Sequence, residues 1–306
     1  MNIHRERAMP KLLIVLTGAD AWTLNDGDSH PTGFWAEELL APLRVFRDAG
    51  LDVTFATPGG VRPTVDEASL SADAVGGEER SAELREELDA LGDELYAPMR
   101  LEDLSPDDYS AVFVPGGHGP MEDLAVSPEL GALLVEMLDD DKVISAVCHG
   151  PAGLLSATRP DGTWAFAGRN LSGFSNAEET QAGLAERAPW LLENRLRDGG
   201  ANVESGPDWE PFSVVDDNIV TGQNPASSAE VAEKTVERID ARAHWIHVVP
   251  HEGGWTFKHE HGQAEGHFKT QKQAIEAAKE HAREHGDWEM VIHGRNGRIR
   301  DAIAVH

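Results

Sequence analysis

Two short apolar segments, each ended by small residues, constrain what this chain can fold into. Residues 111–114 (Ala-Val-Phe-Val) stop at Pro-Gly-Gly-His-Gly, and residues 142–147 stop at Cys-His-Gly-Pro. A segment with helical character, residues 128–138, separates them. Continuous apolar runs are typical of strands buried on both faces of a parallel sheet. The order strand, helix, strand therefore predicts a right-handed crossover between two parallel strands.

The second segment ends at Cys148, the single cysteine of the chain. A cysteine between a buried strand and a helix, with small residues around it, is typical of a nucleophile elbow. Such a turn exposes the sulfur and directs a helix N-terminus at it, so we expect a depressed pKa for Cys148. The alternative is a buried structural cysteine. His149, Gly150 and Pro151 favour a turn and so argue against that alternative.

Strands and helices alternate over most of the chain. An apolar run at 11–18, a helical pattern at 33–49 and a strand at Asp52–Thr57 form one βαβ unit, and similar alternation continues to residue 242. This pattern predicts a doubly wound α/β domain, flavodoxin-like, with a mostly parallel sheet over residues 10–242. Ligands of such domains bind beyond the carboxyl ends of the strands. We expect residues 1–9 to form a disordered extension.

Residues 243–306 have a different character and predict a small α+β module of ββαββ order. Ten of the 14 histidines lie there, and metal binding is one interpretation of those close in sequence: His244, His247, His251, His259 and His261. A solvated sheet face explains them equally well. We expect no metal, and a role for the module in interaction.

The charge distribution excludes some partners. The net charge is −28, and residues 1–240 account for it with 45 acidic and 17 basic side chains. Such a surface repels nucleic acid and anionic membranes. The longest apolar runs are much shorter than the ~18 residues that a membrane span requires. One cysteine argues against an oxidising compartment, so we expect a cytoplasmic protein.

A cysteine nucleophile needs an oxyanion stabiliser and a proton-handling partner that is held in place. Gly116, Gly117 and His118 follow a neighbouring strand, and backbone N–H groups there could bind an oxyanion, although an ordinary tight turn has the same composition. His149 could be held by a carboxylate from one of two pairs. These are Glu37–Glu38 and Glu178–Glu179, which in so acidic a chain could also be solvated surface groups.

Several motifs together resemble one known family. The segments around Pro115–Gly119 and Cys148–Pro151 resemble the ThiJ/PfpI superfamily, which has a class I glutamine-amidotransferase-like fold. Further segments resemble its glyoxalase III branch over roughly residues 10–240: 32–42, 57–69, 173–179 and 220–228. The C-terminal module resembles a small bacterial and archaeal domain of unknown function.

The resemblance implies roles for four side chains. Cys148 becomes the nucleophile, His149 its neighbour, Glu179 the carboxylate that pairs with His149, and Glu38 a buried acid hydrogen-bonded to the sulfur. Backbone amides of Gly117 and His149 would form the oxyanion site. The resemblance also implies a homodimer and no cofactor. No His-x-Glu pair occurs at residues 222–228, so glutamine hydrolysis is not expected, and the metal site of some relatives is not recognisable.

The activity that the resemblance implies is that of a glutathione-independent glyoxalase of the D-lactate dehydratase type. Such an enzyme, a lyase, converts a small dicarbonyl, methylglyoxal or glyoxal, to a hydroxy acid through a cysteine hemithioacetal. The alternatives within enzymes are a PfpI-like cysteine hydrolase and a protein deglycase. A redox-sensitive stress chaperone is the alternative from another class, in which Cys148 would sense oxidation.

Overall fold

The structure is a computed structural model that describes residues 10–242, 245–259, 264–285 and 288–305. The described residues divide into two units, one over residues 11–236 and one over the described residues from 237 onwards. The extension predicted for residues 1–9 lies outside the described residues.

The larger unit contains both strands and helices in alternation, as the sequence predicts. Its strands are β1 (Lys11–Val15), β2 (Ala21–Thr23), β3 (Ser29–Pro31), β4 (Asp52–Thr57), β5 (Met99–Arg100), β6 (Ala111–Val114), β7 (Val143–Val147), β8 (Asn170–Leu171), β9 (Asn202–Val203), β10 (Ser213–Asp216) and β11 (Ile219–Gly222). Its helices are α1 (Ala36–Asp48), α2 (Ala72–Val75), α3 (Glu78–Leu91), α4 (Asp93–Tyr96), α5 (Gly119–Glu122), α6 (Pro128–Asp139), α7 (Asn176–Gln181) and α8 (Leu192–Asp198), followed by α9 (Ser228–Arg242), which runs across the division.

The main sheet has the strand order β10-β11-β7-β6-β1-β4-β5. All neighbouring strands are parallel except the edge pair β10–β11. The chain leaves β1 towards β4 on one side and later returns to β6 on the other, which creates a topological switch point between β1 and β6. The predicted doubly wound, mostly parallel fold is confirmed.

The core lies on the central strands. Every residue of β6 and β7 is buried, and so are the four residues of β1 that follow Lys11. The continuous apolar runs of the sequence correspond to these strands, because both faces of the sheet are covered. Within the described ranges no helix combines the length and apolar character needed to cross a bilayer.

The smaller unit forms a sheet of order β14-β13-β12-β15-β16. Its elements are β12 (Trp245–His251), β13 (Gly254–His259), β14 (Glu265–Phe268), α10 (Gln271–His285), β15 (Trp288–His293) and β16 (Ile299–Val305). The predicted order ββαββ is incomplete because it lacks β14. That strand is short and largely polar, and its pairing with β13 is interrupted between Trp255 and Phe257, so it leaves no apolar alternation to recognise.

The turn after β7 lies against the end of β6. A Cβ atom added at Gly150 would come within 2.1 Å of the carbonyl oxygen of Val114. Gly150→Ala should therefore lower the free energy of unfolding by about 1–3 kcal/mol, measured by urea denaturation.

Gly18→Ala is the matched control for that substitution. The nearest atom to its added Cβ is Cβ of the exposed Val61, at 3.3 Å. We expect the control to cost less than ~1 kcal/mol. Equal stability of the two variants would contradict the close packing of β7 and β6 at this turn.

Candidate active site

Cys148 follows β7 directly and has an unusual backbone conformation. Its φ angle is +59°, in the left-handed region that side chains other than glycine rarely adopt. The Cys148 N–H donates to the carbonyl of Gly222 (3.0 Å), and its carbonyl accepts from the N–H of Phe174 (2.8 Å). Two backbone hydrogen bonds from separate segments thus hold the turn in this conformation. The geometry is that of a nucleophile elbow.

A carboxylate joins two histidines beside the sulfur. His149 Nε2 lies 2.7 Å from Glu179 Oε2, and His118 Nε2 lies 3.0 Å from Glu179 Oε1. When the carboxylate is ionised, each ring therefore donates an Nε2–H hydrogen bond to Glu179. The second nitrogen of His149, Nδ1, lies 3.4 Å from Cys148 Sγ. In a neutral His149 this nitrogen is the acceptor, so it is placed to receive the thiol proton.

The environment favours the ionised form of Glu179. Burial opposes ionisation, but the electrostatic interaction with His149 and the hydrogen bonds from His118 and His149 outweigh it, so the pKa of Glu179 lies well below its usual range. Burial is also the main reason that the pKa of His118 is lowered, with a further contribution from His149. The result is an ionised carboxylate next to a neutral His118.

Glu38 has the opposite character. It lies in the first turn of α1, is fully buried, and accepts a hydrogen bond from the N–H of Gly116 through Oε2 (2.7 Å). Burial raises the pKa of Glu38 to about 8, although hydrogen bonds to Cys148 and Gly116 work against this rise. Glu38 is therefore mainly a carboxylic acid at neutral pH. It can donate a proton and still accept one near its pKa.

The prediction of a depressed pKa for Cys148 is wrong in this structure. The thiol is buried, and burial together with the neighbouring Glu38 raises its pKa well above the usual range. The N–H groups of Gly117 and His149 act in the opposite direction but do not outweigh these effects. The segment after the elbow is a 3-10 helix, Gly150–Ser156, which is too short to provide the expected helix dipole. The resting sulfur is a thiol.

The three residues predicted to bind an oxyanion, Gly116, Gly117 and His118, differ in what their backbone N–H groups contact. The N–H groups of Gly117 and His149 are close enough to the sulfur to act against the burial that raises the pKa of the Cys148 thiol. The Gly116 N–H is instead bonded to Glu38, and that of His118 to the hydroxyl of Thr32 (3.1 Å). The side chain of His118 contacts Glu179. Gly116 and His118 therefore do not present their backbone N–H groups to an oxyanion, because other acceptors already use them.

The two glutamate pairs separate in the structure. Glu37 is half-exposed and pairs with Arg80, whereas Glu38 is buried. Glu179 faces the histidines, and its neighbour Glu178 turns the other way into a buried polar network. The interpretation of these pairs as solvated surface groups holds for Glu37 alone.

Sequence reasoning missed the network around Glu178. Its Oε1 accepts hydrogen bonds from the Trp209 N–H, Gln223 and Asn224, and its Oε2 from Ser175. Ser175 and Glu178 form a capping box that begins α7, and the Ser-x-x-Glu pattern was the available signal. The network fixes the start of α7 and thereby the position of Glu179.

Aromatic rings complete the surroundings of the two histidines. Trp22 stacks on His118 with ring centroids 5.0 Å apart, and Phe174 lies 4.4 Å from His149. His30 approaches His118 edge-on at 5.7 Å. Sequence reasoning assigned no role to Trp22 in β2 or His30 in β3, because the polar segment that contains these short strands carries no recognisable pattern.

The same histidines and carboxylate could also be considered as metal ligands. One ligand atom each of His118, His149 and Glu179 lies within 4.8 Å of the others. The short N–H···O contacts, however, place protons on the nitrogen atoms that a metal would use. The donor set fits a hydrogen-bonded acid-base network better than a metal centre.

An elbow cysteine at the carboxyl end of β7, next to the strand β6 that borders the switch point, lies beside a histidine and two carboxylates of opposite ionisation. This arrangement defines a class of α/β proteins equipped for nucleophilic chemistry. The model of the DJ-1/PfpI family matches residues 31–238. The chain belongs to this family, and the resemblance seen in the sequence is confirmed. Residues 246–305 match a second family, described as an uncharacterized protein conserved in bacteria (DUF2188).

Three relatives illustrate the similarity. The glutathione-independent glyoxalase hsp3101 of Schizosaccharomyces pombe is 32% identical, over 69% of this chain and 88% of that protein. The protein/nucleic acid deglycase HchA of Staphylococcus aureus is 29% identical, over 75% and 80%. The crystal structure of glyoxalase III from Candida albicans has a TM-score of 0.65 at 28% identity, covering 75% of this chain and 97% of that one.

The raised pKa of Glu38 should make the free energy of unfolding depend on pH. The carboxyl ionises near 4.5 in the unfolded chain and near 8 in the folded one. Between these values the folded state keeps a proton that the unfolded state releases, so this group makes folding less favourable as pH rises. In Glu38→Gln that loss is absent. The stability difference, variant minus wild type, should increase from pH 4.5 to 8 and then level off.

Urea denaturation at a series of pH values measures this difference. Glu37→Gln changes a half-exposed carboxylate on the same helix and should keep the wild-type profile. A constant difference between Glu38→Gln and wild type across this range would show that Glu38 ionises in the folded protein at an ordinary pH.

Proposed function

We propose that the protein is a glutathione-independent glyoxalase that converts methylglyoxal to lactate with Cys148 as nucleophile. This assigns it to the lyases, in the D-lactate dehydratase class. The named activities of the S. pombe and C. albicans relatives support the proposal. Within the chain, the observation that carries it is the position of Cys148 Sγ next to His149 Nδ1, with the neutral acid Glu38 on the other side.

Burial of the site favours a small substrate. Cys148 is 4% exposed and His149 is 1% exposed, so the sulfur is accessible to a compact dicarbonyl more readily than to a folded protein. The raised thiol pKa requires that the proton leaves as the carbon–sulfur bond forms. His149 can accept that proton, since its ring is oriented by the ionised Glu179.

The first step is addition of the thiol to the aldehyde. Sulfur bonds to the aldehyde carbon, the thiol proton passes to His149 Nδ1, and the electron pair of the carbonyl moves to its oxygen. The N–H groups of Gly117 and His149 stabilise the resulting oxyanion. His149 then returns the proton to that oxygen, which gives a neutral hemithioacetal on Cys148.

The second step moves a proton between the two substrate carbons. His149 Nδ1 removes the proton from the sulfur-bearing carbon while Glu38 donates its proton to the ketone oxygen, which gives an enediol. The Glu38 carboxylate then removes a proton from the other hydroxyl, and His149 protonates the second carbon. The product is the thioester of lactate, and both residues have regained their initial protonation states.

The last step is hydrolysis. Water attacks the thioester carbon and gives a proton to His149, the carbon–sulfur bond breaks, and Cys148 recovers its proton. Lactate leaves. These three steps need no added thiol or redox cofactor, because one substrate carbon is oxidised while the other is reduced, and water is then added.

A protein deglycase is the second candidate, favoured by the similarity to the S. aureus deglycase. The same sulfur would then act on a methylglyoxal adduct of an amino acid side chain. Location in the cytoplasm and assembly as a homodimer stay predictions.

Lactate production from methylglyoxal without added thiol tests the proposal. We expect the wild-type protein to produce lactate, Cys148→Ala to produce none above background, and Glu38→Gln to lose about 10²–10⁴-fold in kcat, the usual range for loss of a general acid or base. Glu37→Gln is the matched control and should keep wild-type activity, because its side chain pairs with Arg80 away from the site.

A second substrate separates the candidates. A short peptide whose arginine carries a methylglyoxal adduct is supplied in place of the free dicarbonyl. The deglycase activity would be assigned by two results together. The protein would release unmodified peptide faster than the adduct decays by itself, and it would produce no lactate in the assay with free methylglyoxal. Undiminished lactate production by Cys148→Ala would overturn the proposal of a cysteine nucleophile.

A further inference from the structure

Three side chains of the smaller unit converge from different elements. His259 lies at the end of β13, Glu265 at the start of β14 and His281 in the later part of α10. The two Nε2 atoms of His259 and His281 are 3.0 Å apart. Glu265 Oε1 lies 3.6 Å from His259 Nε2, and Glu265 Oε2 lies 3.9 Å from His281 Nδ1. One ligand atom from each residue fits within 4.8 Å.

The cluster is partly enclosed and its rings are oriented. The side chains of His259, Glu265 and His281 are 28%, 32% and 21% exposed, so all three are accessible to a small ion from solvent. The ring of Phe257, whose side chain belongs to the apolar core of the unit, lies 5.5 Å from that of His281. Helix α10 and strand β13 thus position the two imidazoles before any ligand binds.

The spacing matches the coordination shell of a transition metal. Ligands about 2.0–2.1 Å from a zinc ion are separated from one another by roughly 3.0–3.4 Å in tetrahedral or more compact arrangements. The Nε2 pair already has this separation, and Glu265 Oε1 lies 3.6 Å from His259 Nε2, slightly beyond it. The two contacts of Glu265 with the histidines are too long for hydrogen bonds, so hydrogen bonding does not explain the approach of its carboxylate.

A second histidine pair of the unit shows the contrast. His247 Nδ1 and His293 Nε2 are also 3.0 Å apart, but His293 Nδ1 lies 2.8 Å from the carbonyl of Gly297. A chain of hydrogen bonds from His247 to His293 to that carbonyl accounts for this arrangement. The His259 pair differs because a carboxylate faces it from a third element.

We propose that His259, Glu265 and His281 bind a zinc ion. Two imidazoles and one carboxylate suit zinc, whereas calcium and magnesium select sites built from oxygen atoms. Three protein ligands leave a fourth position for water. Of the histidines highlighted by the sequence, His259 is part of this site, His247 and His251 are not, and His244 and His261 lie outside the described residues. Glu265 and His281 carried no signal in the sequence, because they come from elements more distant along the chain.

Zinc binding by the full-length protein, prepared without a polyhistidine tag, tests the proposal. Equilibrium dialysis gives the number of bound ions and the affinity, and the absorption of bound Co²⁺ reports tetrahedral coordination. We expect Glu265→Gln to weaken binding by more than ~10-fold, since even outer-shell changes cost 10–100-fold. His281→Ala should remove one ion per chain.

His267→Ala is the matched control, an exposed histidine of β14 outside the cluster, and it should bind zinc as the wild type does. His118→Ala tests the histidine cluster of the candidate active site. Unchanged binding in both Glu265→Gln and His281→Ala would overturn the proposal, and so would loss of the ion in His118→Ala alone, which would assign zinc to the candidate active site. Glu265→Gln is nearly isosteric and keeps the test valid if His281→Ala fails to fold.

Discussion

The left-handed backbone of Cys148 is the constraint on which the candidate site depends. A side chain at φ +59° is strained, and the strain is maintained by hydrogen bonds to Gly222 and Phe174 from two other segments. A Cβ at Gly116 would lie 2.6 Å from the His149 nitrogen and 2.8 Å from a Glu38 oxygen. Glycine at that position therefore allows Glu38 and the elbow to approach each other. The sheet provides the platform, and the turn gives the sulfur its direction.

Two carboxylates with identical chemistry acquire opposite properties around this turn. Two imidazole N–H groups compensate the burial of Glu179 and keep it ionised. Burial raises the pKa of Glu38, and its hydrogen bonds to Cys148 and to the N–H of Gly116 do not compensate that burial, so it retains its proton up to a pH of about 8. In the proposed mechanism one group orients a base and the other serves as an acid. The difference in ionisation follows from how far the neighbouring groups compensate burial at each carboxylate.

Much of the fold could be predicted from the sequence, because it depends on local patterns. The apolar runs gave the central strands, and the small residues after them gave the elbow. The structure also brings Glu38, His149 and Glu179 to Cys148, the group that the family resemblance indicated, while their catalytic roles stay predictions. The second hydrogen-bond partner of Glu179 could not be predicted. His118 lies 61 positions away in sequence, and the glycine-rich turn that contains it suggested an oxyanion site. The direction of the thiol pKa shift also depends on burial, which no local pattern records.

The central claim is that Cys148 forms the bond to the substrate and that Glu38 acts only afterwards. Methylglyoxal added to Glu38→Gln, followed directly by mass spectrometry of the intact protein under native conditions, tests both parts, and the double variant with Cys148→Ala is the control. Addition does not need Glu38, whereas the proton transfer that follows does, so the account predicts an adduct that accumulates in Glu38→Gln and is absent from the double variant. The wild type should show far less of it, because turnover removes it. Equal amounts of adduct in Glu38→Gln and in the double variant would place the modification on residues other than Cys148 and would contradict the account.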